Sequence, residues 1–175
     1  HMPKRYHSAL VFLHWLMALM IIAALVAGTF VLAPVDNSDP AKLLSFQMHM
    51  GLGLAIGALL LLRLIVRAST AHPAPATTGI ALADRLAPLA HWALYLLVLA
   101  MVGSGVALSL ASGLGNAVFF GGEMPANFNG IAARTGHGVI ATLLMITIGL
   151  HILAALWHQL VRRDGLLSRM GFGKR

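Results

Sequence analysis

Nine histidines stand in a chain of 175 residues that has no cysteine and only five carboxylates. Imidazole is therefore the one side chain present in quantity that can bind a metal or move protons near neutral pH. His14, His49, His137 and His151 fall inside long uncharged runs, and His91 and His158 fall near the ends of such runs. A polar ring at membrane depth is costly without a partner, so each is either an interhelical hydrogen bond or part of a functional site. His137 and His151 are fourteen residues apart in sequence, nearly four helical turns, which puts both on one helix face about 21 Å apart. With the spans alternating in direction, His14 and His151 fall at one end of the molecule and His49 and His137 at the other. Two pairs of imidazoles at opposite depths are the ligand set that two bis-histidine b-type haems require. Zinc suits this pattern poorly, because it gathers three or four ligands at one point, each at about 2 Å. No carboxylate lies mid-span, which argues against an acidic proton relay.

The elements that must position these rings are legible from hydropathy. The chain is 59% hydrophobic and 10% charged, where a soluble domain is about a quarter charged. Four uncharged runs are each long enough for the roughly 20 residues that span hydrocarbon. They predict helices over about 8–33, 43–67, 86–111 and 134–162, forming a single all-α domain over 1–175, an integral membrane four-helix bundle. The first run is too long for the core of a signal peptide and reads as a mature helix. His1-Met2 reads as a vector-derived remnant. Pro34 to Pro40 forms a short loop, His72 to Gly79 a longer one, and Gly113 to Asn129 a third that has room for a short interfacial helix near 117–120.

Charge gives the orientation. The formal charge of +7 and pI near 11.2 could suggest nucleic acid, but the basic residues flank apolar runs and form no soluble basic domain. Lys4, Arg5, Arg63, Arg67, Arg85, Arg162, Arg163, Arg169, Lys174 and Arg175 fall on one side, and only Lys42 and Arg134 on the other. The positive-inside rule then places both termini in the cytoplasm, with the Asp36/Asp39 and Glu123 loops facing the periplasm of a bacterial inner membrane. Absence of cysteine excludes disulfides, iron–sulfur clusters and covalently attached c-type haem. Glycines crowd the histidines: Gly51, Gly53 and Gly57 follow His49, Gly136 and Gly138 flank His137, and Gly149 precedes His151. They serve either to clear space for a flat macrocycle or to let helices pack closely.

At these residues the chain resembles the bacterial cytochrome b561 family. The matching pieces are Leu13-His14-Trp15-Leu16, Met48-His49 with its glycines, and Ala90-His91-Trp92-Ala93-Leu94-Tyr95-Leu96-Leu97. Gly136-His137, Ile148-Gly149-Leu150-His151 and Ala154-Ala155-Leu156-Trp157-His158 complete the set. The likeness runs from Tyr6 to Met170. It implies a four-helix inner-membrane cytochrome with two haem b groups ligated by His14, His49, His137 and His151. It also implies an enzyme of the superoxide:ubiquinone oxidoreductase type. The alternative within the same fold is a non-enzymatic cytochrome b subunit that links a redox partner protein to the quinone pool.

Roles for the remaining polar residues follow from that frame. Haems with both axial sites filled pass electrons and do not bind dioxygen. Arg134, three residues before His137, could guide a small anion such as superoxide to the outer site, anchor the helix end, or pair with a propionate. His158, seven residues past His151, and His91, expected at the same level, could supply the protons that quinone reduction consumes. Arg63 and Arg67 either pair with propionates of the inner haem or only set topology.

Overall fold

The computed structural model describes residues 2–172; His1, Gly173 and the basic Lys174 and Arg175 lie outside the described residues. It is all-helical, with no strand among the described residues. Helix α1 spans Ser8–Ala27 and widens into a π turn over Gly28–Leu32; α2 spans Ala41–Ser69 and α3 Ala81–Ser112. A short α4 covers Leu114–Phe120, and α5 spans Ala132–Trp157 before a second π turn over His158–Arg162 and a 3-10 turn over Leu166–Met170. Four of these helices are long and apolar enough to cross a membrane. Leu19, Phe30, Leu110 and Phe120 are each at least 70% exposed on the outer surface of the bundle. Water would penalise such a surface, whereas hydrocarbon does not.

Helix ends differ from the uncharged runs for a physical reason. Helix α3 begins at Ala81, ahead of Leu86, because the Asp84 carboxylate accepts from the Thr78 backbone N–H at 2.6 Å and from the Thr78 hydroxyl at 2.8 Å. An acid in the first turn is favourable at a helix N-terminus. Helix α2 likewise continues through Arg63 and Arg67 to Ser69, since long basic side chains at a span end can reach the interface.

The core is a chain of interlocked aliphatic side chains, Met17 and Leu25 of α1, Ile56 and Leu60 of α2, Val98 of α3 and Leu144 of α5. A second cluster of Leu32, Phe46, Leu114 and Val118 seats α4 against the C-terminal end of the first span and the N-terminal end of α2. At that end Lys42 is buried. Its ammonium donates to the Leu32 carbonyl at 2.5 Å and to the Val35 carbonyl, over the ring of Phe46. The Leu32 carbonyl closes the π turn and also accepts from the Val35 N–H at 3.3 Å, and Val35 lies just past it, so Lys42 ties the end of one span from the start of the next. At the opposite end the chain termini are tied together. The Tyr6 N–H donates to Arg169 O, the Trp15 indole to Met170 O at 2.8 Å, and Arg169 to Ala74 O at 2.7 Å. Helix α5 packs along α3, α1 along α2 and α2 along α3, whereas α5 barely approaches α1 or α2.

Candidate functional site

Those two partings between helices are where the histidine pairs sit. At the basic end, His14 on α1 faces His151 on α5 with ring centroids 6.2 Å apart. At the other end, His49 on α2 faces His137 on α5 at 6.4 Å, the ring planes nearly perpendicular at 84°. The helices carrying each pair do not pack backbone to backbone, so the rings project into space between them.

The spacing can be tested against the ligand set it was expected to form. A metal held by one nitrogen from each ring lies about 2 Å from both, and the ring radius on either side brings the centroids to roughly 6 Å. Both pairs meet that value. The unpartnered Nδ1 of His49, buried and without a hydrogen bond, is a further sign of a ring not placed for ordinary polar packing. No group of three or more potential ligands gathers at one point among the described residues. The residues present therefore fit bis-histidine ligation between helices and do not form a zinc-like cluster.

Glycines divide into two kinds. Gly51, Gly53, Gly136 and Gly149 face open space, with nothing within 4 Å of a side chain built there. Gly57 instead lets Val102 of α3 approach closely, and Gly138 gives room to the Arg134 guanidinium. Two glycines that sequence reasoning passed over bear directly on the outer pair. A Cβ on Gly28 would stand 3.2 Å from Cε1 of His49, and a Cβ on Gly105 would stand 3.2 Å from Cε1 of His137. Each imidazole of the outer pair thus rests on a bare stretch of a neighbouring helix.

Ser104, beside Gly105, holds the same ring. Its hydroxyl lies 2.8 Å from His137 Nδ1 and donates to the Met101 carbonyl at 3.0 Å. A serine in an apolar helix ordinarily back-bonds in this way, so nothing in the sequence marks it as a partner of His137.

The basic end is more crowded. His91 lies 5.6 Å from His151 between ring centroids. It was expected at the level of His158, near the start of its helix. The longer α3 carries it inward by more than two turns and places it with His14 and His151. Arg63 donates to the Tyr95 hydroxyl at 3.2 Å and approaches His14 Nδ1 at 3.3 Å. A guanidinium only donates, so the acceptor in this arrangement is His14 Nδ1, and ligation through Nε2 requires Arg63 to turn from that nitrogen. Arg67 lies close enough to act electrostatically on His91.

His158 stands apart from this cluster, at the start of the π turn. The widened turn brings Asp164 back so that its carboxylate lies 2.5 Å from His158 Nδ1. Arg162 approaches the same carboxylate at 3.4 Å, and the Leu166 N–H donates to it at 3.1 Å. The His158 hydrogen bond, more than any other contact, holds the Asp164 carboxyl below the usual carboxylate range. Asp164 was not singled out from sequence, because a π turn that folds the chain back six residues leaves no spacing signature.

Comparison with known proteins gives consistent results. The family model described as prokaryotic cytochrome b561 matches residues 5–173. A probable superoxide oxidase CybB of Yersinia pestis is 31% identical over 97% of each chain. Cytochrome b561 homolog 2 of Escherichia coli strain K12 is 25% identical over 96% of this chain and 92% of its own. Cytochrome b562 of Cereibacter sphaeroides is 29% identical over 90% and 89% respectively.

Proposed function

The chain belongs to the prokaryotic cytochrome b561 family, a family of multi-pass inner-membrane haem b proteins, and from that premise we propose that it oxidises superoxide to dioxygen at the periplasmic face and reduces ubiquinone. His14 with His151 and His49 with His137 hold one haem b each, and both termini lie in the cytoplasm. The observation that carries this reading is the pair of facing imidazoles, 6.2 and 6.4 Å apart, each bridging helices that otherwise stand apart. The activity is supported by the full-length likeness to the probable superoxide oxidase. The orientation is supported by the basic residues gathered at the His14 end.

Haem b, held by His14 with His151 and by His49 with His137, would supply one-electron carriage between the two faces. The remaining chemistry belongs to the protein. Two superoxide anions each lose one electron and leave as dioxygen; one quinone gains both electrons together with two protons. Arg134 gives the outer rim, otherwise poor in cations, a positive charge beside His137 that attracts the anion. At the cytoplasmic end Asp164 accepts from His158 Nδ1 and leaves the other ring nitrogen uncommitted to it. His158 then delivers protons to the quinone oxygens, and Asp164 stabilises the imidazolium formed when it recharges from solvent. His91, held against His151, is the second proton donor, deeper in the same half.

The test is a stopped-flow assay on haem-loaded protein given superoxide and a ubiquinone analogue. Quinone reduction faster than spontaneous dismutation allows is expected, slowed by Arg134→Glu in a salt-dependent manner and by His158→Leu without loss of pigment. A rate no faster than dismutation in the parent protein would leave only a passive electron conduit.

A further inference from the structure

Helix α3 contributes no ligand to either histidine pair, yet it holds the Ser104 and Gly105 contacts to His137. The two contacts of Ser104 are compatible with one direction of bonding to His137. A serine hydroxyl has one proton, and that proton is directed to the Met101 carbonyl at 3.0 Å. A His137 that ligates through Nε2 carries its proton on Nδ1, and the serine oxygen, 2.8 Å away, then accepts it. That arrangement leaves the lone pair on Nε2. His49, the facing ring, has no such partner: its Nδ1 is buried without a hydrogen bond.

We propose that Ser104 is the positioning residue of the outer site: it fixes the tautomer and rotation of His137 and makes it the more electron-rich ligand of its pair. This rests on the reading of His137 as an axial ligand. A hydrogen bond donated from the remote ring nitrogen raises ligand basicity and orients the ring. A more basic ligand favours ferric over ferrous iron, so the outer site has a lower midpoint potential with Ser104 than without it. Gly105 completes the slot by leaving room for the Cε1–Nδ1 edge of the ring beside α3, so the hydroxyl and the bare backbone act on the same edge of His137.

The experiment is a redox titration with low-temperature electron paramagnetic resonance on haem-loaded Ser104→Ala, Ser104→Thr and the parent protein. In Ser104→Ala, one of the two potentials should rise and one of the two low-spin ferric signals should shift or broaden, with the other site unchanged. Ser104→Thr retains the hydroxyl and should restore both. Should Ser104→Ala fail to accumulate in membranes, Ser104→Cys reads the same contrast, since sulfur is a weak acceptor. Unchanged potentials and signals in Ser104→Ala or Ser104→Cys would overturn the proposal while leaving His137 a ligand. Retention of both haems in His137→Ala would instead refute the ligand assignment, and the proposal with it.

Discussion

Replacing Gly105 with valine should strip the outer site and spare the inner one. At Gly105 a single added carbon already stands 3.2 Å from Cε1 of His137, tighter than ordinary contact. Alanine can be accommodated by a shift of a few tenths of an ångström, but the branches of valine extend a further bond into the ring. The ring cannot retreat freely, because Ser104 binds its Nδ1 at 2.8 Å. Overpacking of this kind costs about 1–3 kcal/mol. Since 1.4 kcal/mol is a factor of ten, haem affinity at the outer site should fall roughly 5- to 150-fold. Gly28→Val should act alike through His49, whose Cε1 stands at the same 3.2 Å. Gly103→Val is the control, because Gly103 is exposed with nothing within 4 Å. The assay is haem-to-protein ratio by pyridine haemochrome at limiting haem, with a redox titration to identify the site lost. Gly105→Val that keeps a full haem complement and parental spectra, or Gly103→Val that loses as much, would refute the reasoning.

Two further outcomes follow from the ends of the molecule. Lys42→Met removes the ammonium donor from the Leu32 and Val35 carbonyls; thermal stability should drop by about 1–3 kcal/mol, with pigment and spectra unchanged, and an unaltered melting temperature would contradict the capping role. Asp164 has its carboxyl held below the usual range, chiefly by His158. That contribution is present above the ordinary carboxylate pKa of about 3.9 and is lost as pH falls through the depressed value. The closed turn over 158–166 should therefore resist proteolysis throughout pH 5–8 and loosen only under strong acid. Asp164→Asn should open it at every pH and flatten the pH profile of quinone reduction; a parental profile would remove Asp164 from proton delivery.

Sequence reading succeeded where one-dimensional spacing maps onto geometry. The fourteen-residue interval between His137 and His151 places both on one face of α5 whatever surrounds them, and alternating spans then select His49 and His14 as their opposites. It went astray where a helix end is set by a local cap. Asp84 and Arg85 interrupt the uncharged run, so the third span appeared to begin at Leu86, yet the Thr78 contacts to Asp84 extend it outward and shift His91 to the level of His151. It was silent where identical residue types do different work. Gly28 and Gly105 lie against the His49 and His137 rings, Gly57 packs a helix, and Gly51 faces open space; only three-dimensional neighbours separate them. Ser104 is hidden for the same reason, since its bond to Met101 is what any helical serine makes.

The most direct measurement is the number of haems per chain in purified, haem-supplied protein, compared with His137→Ala and His151→Ala. Two in the parent and one in each variant, with a different redox wave missing from each, is the expected result. A colourless parent, or variants that keep both pigments, would contradict the assignment of the facing imidazoles as iron ligands.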